Sequence, residues 1–586
     1  MRNTSAAIQL GKALFWDMQA GSDGVQACAS CHFHAGADNR VTNTLNPGLL
    51  AGDGVFSVAS ANGVLGASSF PFHRLLDPTN SASEVLSDSN DVTSSQGVVL
   101  HSFTDIVPGS AVEQGTLIAE SVFQVGGVNV RRVEPRNTPT VVNAVFNHRN
   151  LWDGRGQDVF NGVNHLGARD QAARVLQVVN GTLTAVVARI ESSSLASQAT
   201  GPPRSFDEMV FAGRDMPKLG KKLLGLKPLA KQLVARDDSV LGGLAASATT
   251  PGAKGLKTTY VAMIKAAFQP AFHSSTSLVT FPNGVATISS RTGPPLTTDE
   301  FTQMEANFAL FWGLSIQLYE ATLVSDQTPF DLFVQNKGAL TAEEQAGLEL
   351  FVGKARCFRC HGGPEFTNAS ANSVSLRKLI RMTVGDGQVA VYDNGFYNIG
   401  VRPTADDPGA GGLDSFGNPL SLSRMALLGQ FNDPSLSPPI EENERVVVDG
   451  AFKVPQLRNV ELTGPYFHNG GQATLRQVID FYDRGGDFAE ANIANLDRIA
   501  PIGLTETEKQ SLVAFLSALT DPRVRFQKAP FDHPQIFVPN GHVGSDVVVQ
   551  DDGTGQAVDV FLEVPAVGKN GGSALPTFLG LSPRQQ

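Results

Sequence analysis

The sequence predicts a mainly α-helical protein with long loop-rich insertions and few short strands. Helical periodicity appears in residues 300–324, 342–353 and 474–482. Strand-like alternation is short and rare, as in residues 121–125, where a small hairpin is expected. With 59 Gly and 33 Pro among 586 residues and only 17% charged residues, much irregular structure is expected between the helices.

Each predicted helix carries its own local signal. In residues 300–324 the apolar side chains recur at helical spacing: Phe308, Phe311, Trp312 and Leu318. Thr341 and Glu344 form a capping box at the start of residues 342–353. In residues 474–482 one stripe collects four side chains: Leu475, Val478, Ile479 and Tyr482.

Two Cys-x-x-Cys-His motifs contain all 4 cysteines of the chain, at Cys28, Cys31 and His32, and at Cys357, Cys360 and His361. The spacing is typical of covalent c-type haem attachment, in which two thiols bind the porphyrin edge and the adjacent His binds the iron. A shared four-cysteine zinc site and two thioredoxin-like redox motifs are the alternatives. Neither alternative explains why a His directly follows the second cysteine of each motif, so we predict two covalent haems.

Haem attachment also predicts a compartment. It needs reduced thiols and a maturation system that works outside the bacterial inner membrane, so we expect a periplasmic or secreted protein. The N-terminus has no apolar signal region, so we expect an export signal to be missing from this sequence. No apolar run is long enough to cross a bilayer, and a net charge of -11 disfavours nucleic acid as a partner.

Four further motifs resemble the bacterial dihaem cytochrome c peroxidase family, which includes the MauG-type enzymes. They read Arg-Asn-Thr-Pro-Thr at 136–140, Leu-Trp-Asp-Gly-Arg at 151–155, Tyr-Glu-Ala-Thr-Leu-Val at 319–324 and Thr-Gly-Pro-Tyr-Phe-His-Asn-Gly at 463–470. The resemblance implies two cytochrome-c-like haem domains. We place them at residues 1–335, with insertions at about 36–135 and 190–300, and at residues 336–530, followed by an extension at 531–586.

The resemblance also implies site residues. Asn137 would give a side-chain oxygen to a calcium ion, and Thr463 and Pro465 would give backbone carbonyls. Trp152 would lie between the porphyrins as an electron relay. The residues expected at haem propionates or the haem edge are Arg155, Arg458 and His468.

At the first haem the sequence departs from the peroxidase branch of this family. That branch has a distal His shortly before the Asn-x-Pro motif, whereas residues 127–135 contain no His. We therefore expect an open iron for hydrogen peroxide, with His73, His101 or His165 as the alternatives that could close it. The candidates for proton transfer are Gln157, Asn161 and His165, with His165 first.

The second haem also departs from the peroxidase pattern. Peroxidases place a Met fourteen residues after the His of the Pro-Tyr-Phe-His motif, and here that position is Tyr482. A tyrosine there is the MauG-type arrangement, and an anionic phenolate stabilises ferric and higher iron states. A buried core tyrosine is the alternative interpretation.

These observations predict an enzyme that activates hydrogen peroxide at the first haem and shares high-valent oxidising equivalents with a second haem bound by His361 and Tyr482. The reductant would be a redox-protein donor, or a protein substrate would be oxidised. Two alternatives remain: a cytochrome c peroxidase that works only after reduction, and a dioxygen-using oxygenase of apolar substrates.

Overall fold

The structure, a computed structural model, describes residues 1–497 and 499–586. Of the chain, 25% is helical and 18% is in strands. The prediction of a mainly α-helical protein is therefore confirmed only in part: helices build the cores, but turns and loops make up most of the chain. The many Gly and Pro residues explain this, since both residues interrupt helices and strands.

The α-helices are mostly short. They span Thr4–Trp16, Ala29–His32, Ser194–Ala199, Met216–Leu224, Tyr260–Ala267, Gln303–Ala306, Phe308–Glu320, Pro329–Val334, Ala342–Val352, Ala371–Leu376, Leu422–Leu427, Leu475–Asp483, Glu506–Ser517 and Pro522–Arg525. The 3-10 helices span Met18–Ala20, Leu49–Ala51, Ala67–Ser69, Ala144–Phe146, Gly167–Arg169, Pro202–Arg204, Ala246–Ala248, Pro270–Phe272, Pro282–Gly284, Cys357–Arg359, Val460–Leu462 and Phe578–Gly580.

The strands form separate two-stranded antiparallel hairpins or pairs. The pairs are Leu45–Asn46 with Val92–Thr93, Arg74–Leu75 with Val85–Ser87, His101–Asp105 with Gln114–Leu117, Gln124–Val125 with Val128–Asn129, Val175–Val179 with Thr182–Val186, Ser277–Thr280 with Thr287–Thr292, Leu379–Thr383 with Val389–Asp393, Phe396–Tyr397 with Phe452–Lys453, and Ile536–His542 with Asp559–Val564. The pair at 124–129 overlaps the segment 121–125, where a hairpin was predicted, only at Gln124 and Val125.

The largest apolar core packs the N-terminal helix Thr4–Trp16 against Phe308–Glu320. The two helices touch at Gly11, where a Cβ atom would lie 1.9 Å from the Ser315 carbonyl oxygen. Only glycine fits so close an approach of two backbones. The helix that leads to the first Cys-x-x-Cys-His motif is thus held tightly in the core.

The second core uses the same arrangement. The helix Ala342–Val352 packs against Glu506–Ser517, and a Cβ on Gly347 would lie 2.0 Å from the Ser511 carbonyl oxygen. The predicted capping box of Thr341 and Glu344 is present. The helix that precedes the second motif is therefore fixed in the same way as the first.

Two helix predictions are adjusted by the structure. The predicted helix at 300–324 is divided at Asn307, whose side-chain amide donates to the carbonyl oxygens of Leu176 at 2.7 Å and Phe272 at 2.8 Å. The predicted helix at 474–482 runs from Leu475 to Asp483, with the Thr474 side chain as its N-cap. The first change depends on partners far away in sequence, which periodicity does not reveal.

Two lysines of the basic segment after residue 215 are buried rather than facing solvent. Lys222 is buried, with its Nζ 2.6 Å from the Glu113 carboxylate, and Arg214 lies 3.1 Å from the same carboxylate. Lys218 is also buried and pairs with Asp105 at 2.8 Å. Both acidic partners come from the first insertion, so these lysines join the two insertions. The domain boundaries themselves stay a prediction.

The extension after residue 530 folds back over both motif regions, as a bracing tail would. The Pro576 carbonyl oxygen lies 2.9 Å from Nε2 of His34, next to the first motif. Farther along, the backbone N–H of Arg476 donates to the Pro583 carbonyl at 3.0 Å, at the start of the helix that carries Tyr482. In the described part of the chain, no helix has the length and apolar character needed to span a bilayer.

Candidate haem sites

The first Cys-x-x-Cys-His motif lies at the short helix Ala29–His32. Nδ1 of His32 is 2.8 Å from the Gly36 carbonyl oxygen, which holds the N–H on Nδ1 and leaves Nε2 for a metal. Burial lowers the pKa of His32, so the imidazole is neutral, as a metal ligand must be.

The second motif repeats this geometry on a different local structure. Cys357–Arg359 forms a 3-10 turn, and Nδ1 of His361 is 3.1 Å from the Phe366 carbonyl oxygen. Burial lowers the pKa of His361 to about 4. All four cysteines are free thiols and not disulfides. Both donor sets therefore fit covalent haem attachment with an axial His.

A cavity of about 1080 Å³ opens beside the second motif. Its lining brings together most of the residues predicted for the second haem and its surroundings: Asn137, Trp152, Cys357, Cys360, His361, Thr463, Pro465, His468 and Tyr482. Many of the other lining side chains are apolar. Ile380 and Met382 contribute from the strand Leu379–Thr383, and Val454 follows the strand Phe452–Lys453. The size and apolar character suit a flat, mostly apolar group.

Tyr482 faces this cavity with an unused hydroxyl group. Hydrogen bonds engage the hydroxyls of the other tyrosines, Tyr260, Tyr319, Tyr392, Tyr397 and Tyr466. Within the described residues the Tyr482 hydroxyl makes none. The side chain is half-buried at the cavity wall. Removal of water raises the pKa of Tyr482, so a nearby cation would be needed to release its proton.

The first site has acidic surroundings that sequence reasoning missed. Sγ of Cys31 is 4.0 Å from the Gln96 carbonyl oxygen. Gly97 follows Gln96 and packs against the backbone of Asp207, since a Cβ on Gly97 would lie 2.0 Å from the Asp207 carbonyl oxygen. Glu208 is thereby held beside the attachment motif. Burial raises the pKa of the Cys28 thiol, and the charges of Glu320 and Glu208 raise it further.

Two carboxyl groups near the first motif, those of Glu208 and Glu134, have raised pKa values. Burial raises the pKa of Glu208 to about 7, and the charge of Asp207 adds to the effect while Arg155 opposes it. Burial and the charge of Glu208 also raise the pKa of Glu134 well above its usual value. No local pattern around Asp207 and Glu208 signals this, because burial by distant segments causes the shift.

Comparison with known proteins agrees with this geometry. Residues 108–339 match the family described as "Di-haem cytochrome c peroxidase". The chain is related to the di-haem cytochrome c peroxidases. It is 34% identical over 233 residues to the cytochrome-c peroxidase IdrP1 of Denitromonas iodatirespirans, covering 37% of this chain and 53% of that protein.

The methylamine utilization protein MauG of Methylorubrum extorquens is 28% identical over 226 residues, covering 38% of this chain and 48% of that protein. The chain thus spans about half the length of these curated relatives. Among solved structures, the diheme peroxidase BthA from Burkholderia thailandensis is similar, with 17% identity, a TM-score of 0.42, and coverage of 90% of this chain and 88% of that chain.

Several residues that the di-haem family resemblance suggested have structural roles. Arg458 makes two hydrogen bonds to the Asp331 carboxylate, at 2.7 Å and 2.8 Å, and a third to the Pro364 carbonyl oxygen. This is a correction to its predicted pairing with a propionate, because its guanidinium is already engaged. Arg155 is 44% exposed and lies 3.4 Å from Asp153, so its propionate role stays a prediction.

Two of the residues predicted for proton transfer, Asn161 and Gln157, make hydrogen bonds within their own turns. The Asn161 amide donates to Asn164 and Gly167, and its oxygen accepts from Val163 and Asn164, so Asn161 is committed to shaping its loop. Gln157 donates to the Gly154 carbonyl at 3.1 Å in the preceding turn. Asn161 is therefore engaged within its own loop, and a proton-transfer role for Gln157 stays a prediction.

The histidines differ in their surroundings. Burial lowers the pKa of His165 to about 4, and its Nδ1 has no partner within the described residues. His165 remains a prediction, although a group this weakly basic is neutral at pH 7. His73 pairs with Asp88 at 2.9 Å and packs on Phe488, beyond the second motif. His101 stacks on Phe211 at 4.5 Å.

His468 lies in the second cavity but is packed as an aromatic wall. Its ring stacks on Phe452 at 3.6 Å with an angle of 11° between the planes. Trp152 meets it edge-on at 6.4 Å. Burial lowers the pKa of His468 to about 3. This placement agrees with the expected position at the haem edge rather than on the iron.

A short segment joins the two sites. The Trp152 indole N–H donates to the Asn137 carbonyl at 2.7 Å, beside the second cavity. Three residues later, the Thr140 hydroxyl donates to the Ala35 carbonyl at 2.7 Å, next to the Gly36 that orients His32. Residues 137–140 therefore run from one site to the other.

Proposed function

We propose that this chain is a di-haem oxidoreductase that reacts with hydrogen peroxide at a haem held by Cys28, Cys31 and His32. It shares the oxidising equivalents with a second haem held by Cys357, Cys360 and His361, with Tyr482 as the second axial ligand. The observation that carries the proposal is the Tyr482 hydroxyl, which has no hydrogen-bond partner among the described residues and lies in the cavity that His361 also lines.

Tyr482 decides the character of the second haem. A phenol in this buried position keeps its proton in the absence of a cation, because burial raises its pKa. Tyr482 would give up this proton to a ferric haem iron bound in the cavity, whose positive charge would favour the phenolate, and a phenolate would favour the oxidised metal. The second haem is therefore suited to holding an oxidising equivalent rather than to accepting electrons at high potential.

Glu208 is the residue we propose for proton transfer at the first haem, in place of His165. Peroxide must lose a proton from its inner oxygen and gain one at its outer oxygen before the O–O bond breaks. A carboxyl group with a pKa of about 7 does this best near neutral pH. The placement of His73 and His101 on other aromatic partners agrees with an open iron at this site.

Trp152 is the proposed relay between the haems. Its ring is nearly buried and lines the second cavity, while its N–H is fixed by the segment that reaches the first site. A fixed, oxidisable indole shortens the electron-transfer steps between two distant groups.

Calcium is proposed at the junction of the two regions. The side-chain amide of Asn137 lies 2.6 Å from the Pro465 carbonyl oxygen and 3.1 Å from the Phe467 carbonyl oxygen. Rotating the amide by 180° presents Oδ1 to the same place, and a carbonyl-rich oxygen set suits a hard cation. The proposed ligands are therefore carbonyl oxygens, since no three His, Cys, Asp or Glu side chains of the described chain group as a metal site.

The remaining parts of the proposal concern location and partners. Covalent haem attachment favours a periplasmic or secreted protein. The electrons for peroxide reduction would come from a small redox protein, or from an oxidisable protein substrate.

The test is to add stoichiometric hydrogen peroxide to the fully ferric protein without a reductant, and to follow absorption and Mössbauer spectra. We expect rapid oxidation at both irons, and in Trp152→Phe we expect the first haem to react while the second is oxidised more slowly. No reaction until one electron is added would contradict the proposal and indicate a peroxidase that needs reduction. Dioxygen uptake without peroxide would indicate an oxygenase.

A further inference from the structure

A second aromatic group lies on the His32 side of the first site, away from Trp152. Trp16 ends the helix Thr4–Trp16, and its indole N–H donates to the Tyr319 hydroxyl oxygen at 3.0 Å. Only 4% of Trp16 and 2% of Tyr319 is exposed. His533, from the C-terminal extension, stacks on the indole at 4.7 Å with an angle of 6° between the planes. The indole is thus enclosed on one face and fixed at its nitrogen.

This group is adjacent to the predicted iron ligand. A small cavity of about 40 Å³ is lined by His32, Trp16, Tyr319 and His533 together. Phe15 lies between His32 and Tyr319, with its ring centre 6.2 Å from that of His32 and 5.5 Å from that of Tyr319. An electron leaving Trp16 would therefore cross only a short distance of packed aromatic groups to the first site.

The surroundings favour a positive charge on the rings. Lys12, one helical turn before Trp16, has its Nζ 2.9 Å from Asp238 and 3.7 Å from Asp532, and all three side chains are fully buried. Two carboxylates against one ammonium leave a net negative charge beside Trp16 and Tyr319. In a buried environment such a charge stabilises a cation strongly.

We propose that Trp16 is a one-electron oxidation site, stabilised by its hydrogen bond to Tyr319, that gives an electron to the first haem after peroxide has reacted there. Reduction of one hydrogen peroxide to two waters takes two electrons and two protons. Both protons come from water, and the two haem irons give the two electrons first, in keeping with the oxidation expected at both irons. The Trp16 indole then returns one electron to the first haem and becomes a cation radical that keeps its proton on Nε1. An external one-electron donor later restores the indole. The inference rests on the proposed reaction with peroxide.

The experiment uses the ferric protein with both haems bound, mixed with stoichiometric hydrogen peroxide, frozen at early times and measured by electron paramagnetic resonance. We expect a tryptophan radical signal whose hyperfine pattern narrows when the protein contains ring-deuterated tryptophan. Trp16→Phe should abolish the signal, and Tyr319→Phe should shift it and shorten its lifetime. Trp152→Phe should increase it, because one competing route is removed.

Trp312→Phe is the matched control. Trp312 is fully buried in the same core, and its indole N–H donates to the Ala199 carbonyl at 2.7 Å, but it does not line the cavity with His32. We expect this variant to keep the radical signal of the wild-type protein.

The outcomes separate the two proposals. A peroxide-induced absorption change without a signal that depends on Trp16 would overturn this inference and leave the proposed function intact. The absence of any absorption change would overturn both. If Trp16→Phe loses haem or helical content, Tyr319→Phe and the isotope-labelled wild-type protein decide the question, since neither removes the indole.

Discussion

The two motif regions share their method of attachment and differ in everything around it. Each motif follows a helix that crosses another through a glycine, Gly11 in the first region and Gly347 in the second. Each histidine has its Nδ1 held by a backbone carbonyl. The first region then places carboxyl groups of raised pKa and a buried indole near its motif, whereas the second opens a large cavity lined by the Tyr482 phenol.

This difference shows how one attachment geometry can serve two tasks. Proton-exchanging carboxyls next to an open iron suit a reaction with peroxide. A cavity whose available ligand is a phenol suits a coordinated iron that stores an oxidising equivalent. In the proposed function, the repeated helices would fix both haems, while the inserted loops and the tail would set the surroundings of each.

The largest expected effect comes from Tyr482→Phe, which removes one oxygen and keeps the ring. We expect the second haem to lose its axial oxygen ligand, with a changed ferric absorption spectrum, and to be no longer oxidised after peroxide is added. Tyr466→Phe is the matched control, since Tyr466 lines the same cavity but donates its hydroxyl to the Val460 carbonyl at 3.0 Å. Identical spectra for Tyr482→Phe and the wild-type protein would remove the proposed distinction between the two haems.

The next effect concerns Glu208→Gln at the first site. Loss of the proton-transfer group should slow the reaction with peroxide by about 10²- to 10⁴-fold, measured by stopped-flow absorption. Because the pKa of Glu208 is raised to about 7, its carboxyl is neutral below that pH and cannot accept a proton. The wild-type rate should therefore rise with pH through about 7, and the rate of the variant should not.

Asp207→Asn provides the control for that titration. Asp207 raises the pKa of Glu208 through its charge and pairs with Arg132 at 2.7 Å. We expect its removal to shift the pH profile to lower pH with the maximum rate preserved. A profile that is unchanged in Glu208→Gln would assign the proton transfer to another group, with His165 the next to test.

A smaller effect is expected where the two regions meet. If Asn137 ligates calcium through its side chain, metal analysis should find one calcium ion per chain in the wild-type protein and a loss of it in Asn137→Leu. Thr463→Ala should retain the ion, because Thr463 is proposed to ligate only through its backbone carbonyl. Equal calcium content in the two variants would contradict the proposed ligand set.

The smallest effect concerns the tail that spans both regions. Arg584 forms an ion pair with Glu343 at 2.8 Å, and these side chains are 44% and 42% exposed. Exposed pairs contribute little, so Arg584→Gln should lower the free energy of unfolding by less than about 1 kcal/mol, measured by urea denaturation. A larger loss would show that the tail holds the second region through this contact.

The sequence by itself determined the elements whose signals are local. The Cys-x-x-Cys-His motifs, the capping box at Thr341 and Glu344, and the helix with its N-cap at Thr474 are each contained in a few consecutive residues. The spacing of Tyr482 from His468 was also readable along the chain, and the structure places both residues in the cavity with His361.

Only the tertiary structure decided the features that depend on burial by distant segments. Glu208 acquires its raised pKa because the first insertion packs over it, and Lys222 is buried because Glu113 lies against it. Asn161 was a candidate for proton transfer in the sequence, but its amide donates to the Gly167 carbonyl in its own loop. Arg458 was expected at a haem propionate, but its guanidinium pairs with the Asp331 carboxylate. Such partners lie far away in sequence, and a protonation state or an ion pair exists only once folding has removed water from around both groups.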